Sequence, residues 1–200
     1  MSDTRPGFVL GYHGCDAETA ERVLSGEALR PSAEDYDWLG PGVYFWEGDP
    51  RRAREWAQAK VDRGAYRNGA IVGAVIDLGH CLDLTTRDDL ELLGDAFRSF
   101  EQARAAASLE IPKNRGGADL LQRYLDCAVI KHLHENIEAE AKAAAAAGRA
   151  PLVRPFDTVR GLFTEGQALY PGGGFHTFTH AQIAVRNDRC IKGLFRPRAN

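Results

Sequence analysis

Two short stretches set polar or aromatic side chains beside glycine: Tyr12-His13-Gly14, and Gly40-Pro41-Gly42-Val43-Tyr44-Phe45. Glycine lets a backbone come close to a ligand. A backbone amide and carbonyl there can grip a carboxamide, an aromatic ring can stack on a heteroaromatic one, and an imidazole can hydrogen-bond a hydroxyl. Together they suit a flat, polar molecule. Taken singly, His13 and Tyr44 read equally well as polar tips of core strands.

Other groupings carry less chemistry. In His132-Leu133-His134-Glu135 the two imidazoles are two residues apart, which on a helix turns them to different faces, so no shared metal ion is expected and the segment reads as helix surface. Gly172-Gly173-Gly174 lacks the lysine of a phosphate loop and reads as a connection. Cys15, Cys81, Cys127 and Cys190 are scattered without a C-x-x-C pair, as expected of free thiols in a reducing compartment.

The elements that must hold these residues follow from periodicity and punctuation. Phe8 to Tyr12 predicts a buried strand that turns at His13-Gly14, then a helix capped by Asp16 and stopped by Gly26. Val43 to Trp46 predicts a strand. Asp49 and Pro50 open a second helix, which carries Ala53, Trp56, Ala57 and Val61 on one stripe and ends at Gly64. Ala70 to Leu78 is apolar enough for a central strand. Thr86 and Asp89 resemble a capping box, followed by Leu90, Leu93, Phe97 and Phe100 at helical spacing. A further stripe from Leu121 to Leu133 runs into the alanine-rich stretch before Gly148. Thr158 to Phe163, Phe178 to Val185 and Cys190 to Phe195 return to strand character. The expectation is one α+β domain over 1–200 with a helical insertion at about 86–150.

Composition narrows the field. In 200 residues, 25 Lys plus Arg stand against 28 Asp plus Glu, for a net charge of -3. That balance excludes the broad positive field of a non-specific nucleic-acid binder, though Arg186, Arg189, Lys192, Arg196 and Arg198 leave a local basic patch open, against a solvated strand edge as the alternative. No apolar run reaches the roughly 20 residues of a membrane span, and the N-terminus lacks the pattern of a secretory signal, so a cytosolic protein is expected.

The order H-G, helix, then G-x-G-x-Y-F and a second helix resembles the ADP-ribosyltransferase fold, in its diphtheria-toxin and poly(ADP-ribose) polymerase branch. That branch carries a His, Tyr and acidic or amide triad on three strands. The resemblance spans about residues 8–62, weakens over 155–195 and is absent from the helical middle. It implies a split β-sheet core and NAD as co-substrate, without a metal. By the same resemblance His13, Tyr44 and Gln182 are the triad. Gly14 backbone groups would hold the nicotinamide carboxamide, Tyr44 would stack on its ring, His13 would bond the adenine-side ribose, and Trp56 would form the opposite wall, with core packing as its alternative. Gln182 replaces the commoner carboxylate, so Glu47 and Glu165 are candidates to supply the missing charge, or else surface carboxylates. The implied activity is mono-ADP-ribosyl transfer to a protein or nucleic-acid acceptor, as a toxin or defence effector that a partner protein could neutralise. Alternatives are an NAD glycohydrolase and a catalytically silent NAD or ADP-ribose binding module. Arg160 and Glu165 could pair with each other or touch the acceptor.

Overall fold

The computed structural model describes residues 8–198. Among them the chain order is β1 (Val9–Asp16), α1 (Ala17–Leu24), β2 (Val43–Glu47), α2 (Pro50–Asp62), β3 (Gly69–Ile76), β4 (Cys81–Asp83), α3 (Arg87–Ala106), α4 (Tyr124–Ala146), β5 (Thr158–Phe163), β6 (His180–Val185) and β7 (Ile191–Phe195). The strands form one mixed sheet in the order β4-β5-β6-β2-β1-β3-β7, in which β4 and β5 run parallel and the other neighbours antiparallel. The fold is α+β, with α3 and α4 inserted between β4 and β5.

The sheet carries a core on each face. Phe45, Val72, Ala74, Ile76, Ile183 and Val185 turn to the first face, where Ala20 and Val23 of α1 cover them. Leu82, Val159 and Ala184 turn to the second, under Phe100 of α3 and Val129, Leu133 and Ile137 of α4. Helix α2 lies on that second face, against β1 and β3. A Cβ at Gly14 would stand 2.6 Å from the carbonyl oxygen of Ala53, so this helix seats against β1 only because Gly14 has no side chain.

Local signals explain most boundaries. Asp16 accepts from the Glu18 amide, Asp49 from Arg52 and Thr86 from Asp89, which starts the first three helices. The capping box at Thr86 is half formed, because the Asp89 carboxylate turns instead to the Asp83 amide. Strand β1 does not turn at His13-Gly14: it runs on to Asp16, held by eight residue pairs with β3, while Phe8 is exposed. Leu121 and Leu90, expected on helix stripes, are also exposed. The three-residue β4 is too short for a periodic signal and was not expected.

His134 overturns the expectation of a helix surface. It is 3% exposed, 6.1 Å from the Phe156 ring between centroids, and neither ring nitrogen has a hydrogen-bond partner. His132 does reach the surface, where Nε2 meets Ser99 and Asn136. Burial, and then the nearby Arg186 guanidinium, push the His134 pKa down from 6.5 to about 3. Between those values the unfolded chain holds the extra proton, so stability falls as pH is lowered from 6.5 toward 3. Replacing His134 by Leu is expected to raise stability at pH 7 by about 1–2 kcal/mol, since a buried unpaired polar group is removed. It should also shrink the acid-side loss, as urea unfolding at pH 7, 5 and 4 would show.

Candidate functional site

The three strands that carry His13, Tyr44 and Gln182 are neighbours at the centre of the sheet, in the order β6-β2-β1. Their register sets Trp46 opposite both Tyr12 and Gln182, and Tyr44 opposite Ala184. Alternation then turns Tyr44, Trp46 and Gln182 to the second face, with Phe45 on the first. His13 shares the first face with Phe45, at 5.8 Å between ring centroids. The three predicted side chains thus lie on adjacent strands without lining one face.

The junction of β1 with β2 is unlike the others. Their ladder holds only the pairs Gly11–Glu47 and Tyr12–Trp46, against eight pairs between β1 and β3. Leu10 accepts from the Gly48 amide, so the even-numbered residues of β1 direct N–H and C=O toward β2. Gly14 shares that parity and lies past the end of the ladder, where its amide and carbonyl face the gap. His13 bridges the same gap, its Nδ1 being 2.8 Å from the Tyr44 carbonyl oxygen. A carbonyl only accepts, so Nδ1 carries the proton and Nε2 keeps a lone pair. Burial lowers the His13 pKa, which keeps the ring neutral.

Tyr44 is committed elsewhere. Its hydroxyl accepts from the Leu39 amide and donates to the Gly40 carbonyl, both at 2.9 Å, and burial pushes its pKa far up. The ring packs against the second core and braces the Gly40-Pro41-Gly42 turn, so a free stacking face for a ligand is not what the structure gives it. Gly40 has φ 74 and Ile130 directly behind it, with 2.8 Å to where a Cβ would stand, so this turn requires glycine.

Gln182 is oriented by a residue that sequence reasoning passed over. Trp38 Nε1 donates to Gln182 Oε1 at 2.6 Å. An indole nitrogen can only donate, so the amide oxygen is fixed toward Trp38 and the –NH2 is the free branch. The benzo ring of Trp38 packs against Gly161, where a Cβ would be 2.7 Å from the indole. From Trp38 an unbroken run of ring contacts crosses the second face through Phe163, His180, Trp46, Trp56 and Tyr66, with centroids 5.1, 5.6, 6.3, 5.9 and 6.0 Å apart. Trp46 is 6% exposed and its Nε1 has no partner among the described residues. Trp56 both packs on Gly14 and flanks Trp46, so core contact and wall coincide in it. Period-two spacing from Tyr44 and Gln182 was the available signal for Trp46 and His180.

Neither Glu47 nor Glu165 stands free to replace the missing charge. Glu47 takes two hydrogen bonds from Arg160, at 2.6 and 3.1 Å, and Arg160 also reaches Asp83 at 3.2 Å. Glu165 is bound by Arg52 at 2.6 Å, so the expected pairing of Arg160 with Glu165 is replaced by these two separate pairs. Three of the five C-terminal cations are similarly engaged: Arg186 with Glu138, Lys192 with Asp77, Arg196 with Glu21. All four cysteines are buried and none forms a disulfide, and no group of metal-ligating side chains occurs among the described residues. Nor is any described helix long and apolar enough to cross a membrane.

Comparison with known proteins gives little more. An uncharacterized protein of Methanocaldococcus jannaschii is 32% identical over 77 residues, which cover 37% of this chain and 36% of that protein. The match thus spans about a third of that relative. No protein-family model and no solved structure matches the chain.

The Trp38–Gln182 bond can be measured. A double-mutant cycle with Trp38→Phe and Gln182→Leu, read by urea unfolding, is expected to give a coupling of about 1–2 kcal/mol. Gln182→Glu should keep the bond, because a carboxylate oxygen also accepts, and should leave the melting temperature within about 4 °C of the parent.

Proposed function

We propose that the chain is an NAD-dependent mono-ADP-ribosyltransferase whose site is the gap between β1 and β2, in an ADP-ribosyltransferase-like sheet. One observation supports this above the rest. Past the last β1–β2 pair the Gly14 amide and carbonyl turn toward β2, where His13 bonds the Tyr44 carbonyl and keeps a neutral, proton-accepting Nε2. A donor and an acceptor side by side complement a carboxamide, and an imidazole lone pair accepts from a ribose hydroxyl. Those are the contacts that the nicotinamide and ribose of NAD require.

In the proposed reaction the bond from ribose C1′ to the nicotinamide nitrogen breaks and its electron pair leaves with nicotinamide. The leaving group is neutral, so no strong general acid is called for. Positive charge develops on the ribose, as in glycoside hydrolysis. An acceptor nucleophile then bonds C1′ and releases its proton to solvent. Trp46 and Trp56 supply the aromatic surface that was first assigned to Tyr44, and Tyr44 holds the turn beneath it.

Gln182 sets the character of the reaction. Its free –NH2 can hold a ribose oxygen but cannot offset positive charge. At 4 Å and an effective dielectric of 20, one unit charge is worth about 4 kcal/mol. With Glu47 and Glu165 already paired, slow single transfer fits this site better than chain elongation. A second reading, an NAD or ADP-ribose binding module without turnover, is favoured by the pairing of both Glu47 and Glu165 with arginines.

Labelled NAD incubated with the protein and a cell lysate, then digested separately with protease and nuclease, tests the reading. Nicotinamide release with label lost to one digestion is expected, and Gln182→Glu should raise the rate by about tenfold or more. Saturable NAD binding without nicotinamide release would favour the binding module. Absence of NAD binding by calorimetry would overturn both.

A further inference from the structure

An acceptor that attacks C1′ as a neutral hydroxyl must give up its proton, and a positioned base speeds such a step by about 10²- to 10⁴-fold. Beside Gln182 the sheet holds a second titratable group. Strand β6 places His180 two residues before Gln182, so by alternation both side chains stand on the second face, about 6–7 Å apart along the strand.

The His180 ring is fixed by its neighbours. It stacks on Phe163 of β5, with centroids 5.6 Å and planes 22° apart, and the Trp46 ring of β2 lies 6.3 Å away. Nδ1 is 2.6 Å from the Phe178 carbonyl oxygen. A carbonyl only accepts, so Nδ1 carries the proton and Nε2, on the far side of the ring from that bond, keeps its lone pair. His180 is 7% exposed, and among the described residues its Nε2 is neither hydrogen-bonded nor sealed from solvent as both nitrogens of His134 are. The charged groups that act on the ring are Asp49 and Arg52 at the start of α2 and Glu165 of the β5–β6 loop. Arg52 and Glu165 are bound to each other, and Asp49 caps α2. Burial lowers the His180 pKa from 6.5 against the opposing pull of the Phe178 bond, so the ring is neutral at pH 7.

We infer that His180 is the base that takes the acceptor's proton, and that the acceptor group is a hydroxyl. The inference rests on the reading of this sheet as an NAD site. While Gln182 holds a ribose oxygen, Nε2 receives the hydroxyl proton as the acceptor oxygen bonds C1′. The bond from C1′ to nitrogen breaks with its electron pair going to nicotinamide, and His180 then passes the proton to solvent. A carboxylate acceptor has no proton to lose, so a neutral base gives it nothing. Lysine and arginine acceptors arrive charged and call for a free carboxylate, and Glu165 is already bound to Arg52.

Methanol is the probe hydroxyl. The full chain is given NAD and methanol, and formation of methyl ADP-riboside is measured beside exchange of labelled nicotinamide into NAD. Exchange breaks and remakes the bond from C1′ to nitrogen but removes no proton, because the pyridine nitrogen attacks with a free lone pair. His180→Asn keeps a donor for the Phe178 carbonyl, and His180→Phe keeps the stack on Phe163. Each is expected to lower methanol capture by about tenfold or more, while exchange, which needs no base, falls by less than about twofold. In the parent, capture should stay level from pH 8 through 6.5 and fall only below it, as His180 gains a proton, with exchange level throughout. Label on lysate acceptors should survive neutral hydroxylamine, which cleaves acyl esters, and protease or nuclease then tells a protein hydroxyl from a sugar hydroxyl. Unchanged capture in both variants, or equal loss of capture and exchange, would overturn the assignment to His180. Label stripped by hydroxylamine would overturn the hydroxyl acceptor. A parent that neither exchanges nor releases nicotinamide would overturn the NAD reading, and this inference with it. Should neither variant fold, the two pH profiles of the parent decide.

Discussion

The contact on which the site depends is the hydrogen bond from His13 to the Tyr44 carbonyl, made where β1 and β2 cease to pair. A sheet interior ordinarily satisfies every backbone group by continuing the ladder. Here the ladder stops after two residue pairs, and a side chain takes over one of the orphaned carbonyls. The strands stay side by side, with the Gly14 amide and carbonyl turned toward β2 past the last pair. The bond also fixes the imidazole tautomer, so the group that closes the sheet leaves an acceptor at Nε2.

Glycine and tyrosine complete that arrangement by steric rather than chemical means. Helix α2 presses the Ala53 carbonyl into the space that any side chain at position 14 would fill, which brings Trp56 over β1. On the next strand, Tyr44 spends its hydroxyl on both sides of the Leu39–Gly40 peptide and holds the turn in place. The residue types that suggested chemistry in the sequence are therefore partly occupied with placing one another. On the second face the side chains beside Tyr44 are its period-two neighbours, Trp46 and Gln182.

Local signals were legible where a single residue determines a local bond. Asp16, Asp49 and Thr86 start helices where their side chains predict, and Gly64 takes φ 72 after α2. What depended on partners distant in sequence was not legible. His13-Gly14 has the composition of a turn, but pairing with β3 overrides it and carries the strand to Asp16. His134 has the composition of a helix surface, but the insertion folds back over β5 and β6 and buries it. Glu47 and Glu165 were sensible candidates for a catalytic charge until Arg160, 113 residues from Glu47, and Arg52, 113 residues from Glu165, were found bound to them. Strand membership of His13, Tyr44 and Gln182 could be read, whereas the face each side chain takes follows from register alone.

Trp38 shows how an apparently peripheral residue can set the chemistry of a central one. Gln182 could present either end of its amide, an acceptor or a donor, and the two choices would recognise opposite partners. The indole N–H at 2.6 Å removes that freedom by claiming the oxygen. Gly161 makes the arrangement possible, because any side chain there would lift the indole from β5. On its other side Trp38 walls a cavity built by α3 and α4, so the helical insertion and the central strands meet at one side chain. A carboxylate in place of Gln182 would accept the same indole bond while adding a negative charge. The charge of this site is thus a property of one residue, separable from the scaffold that orients it.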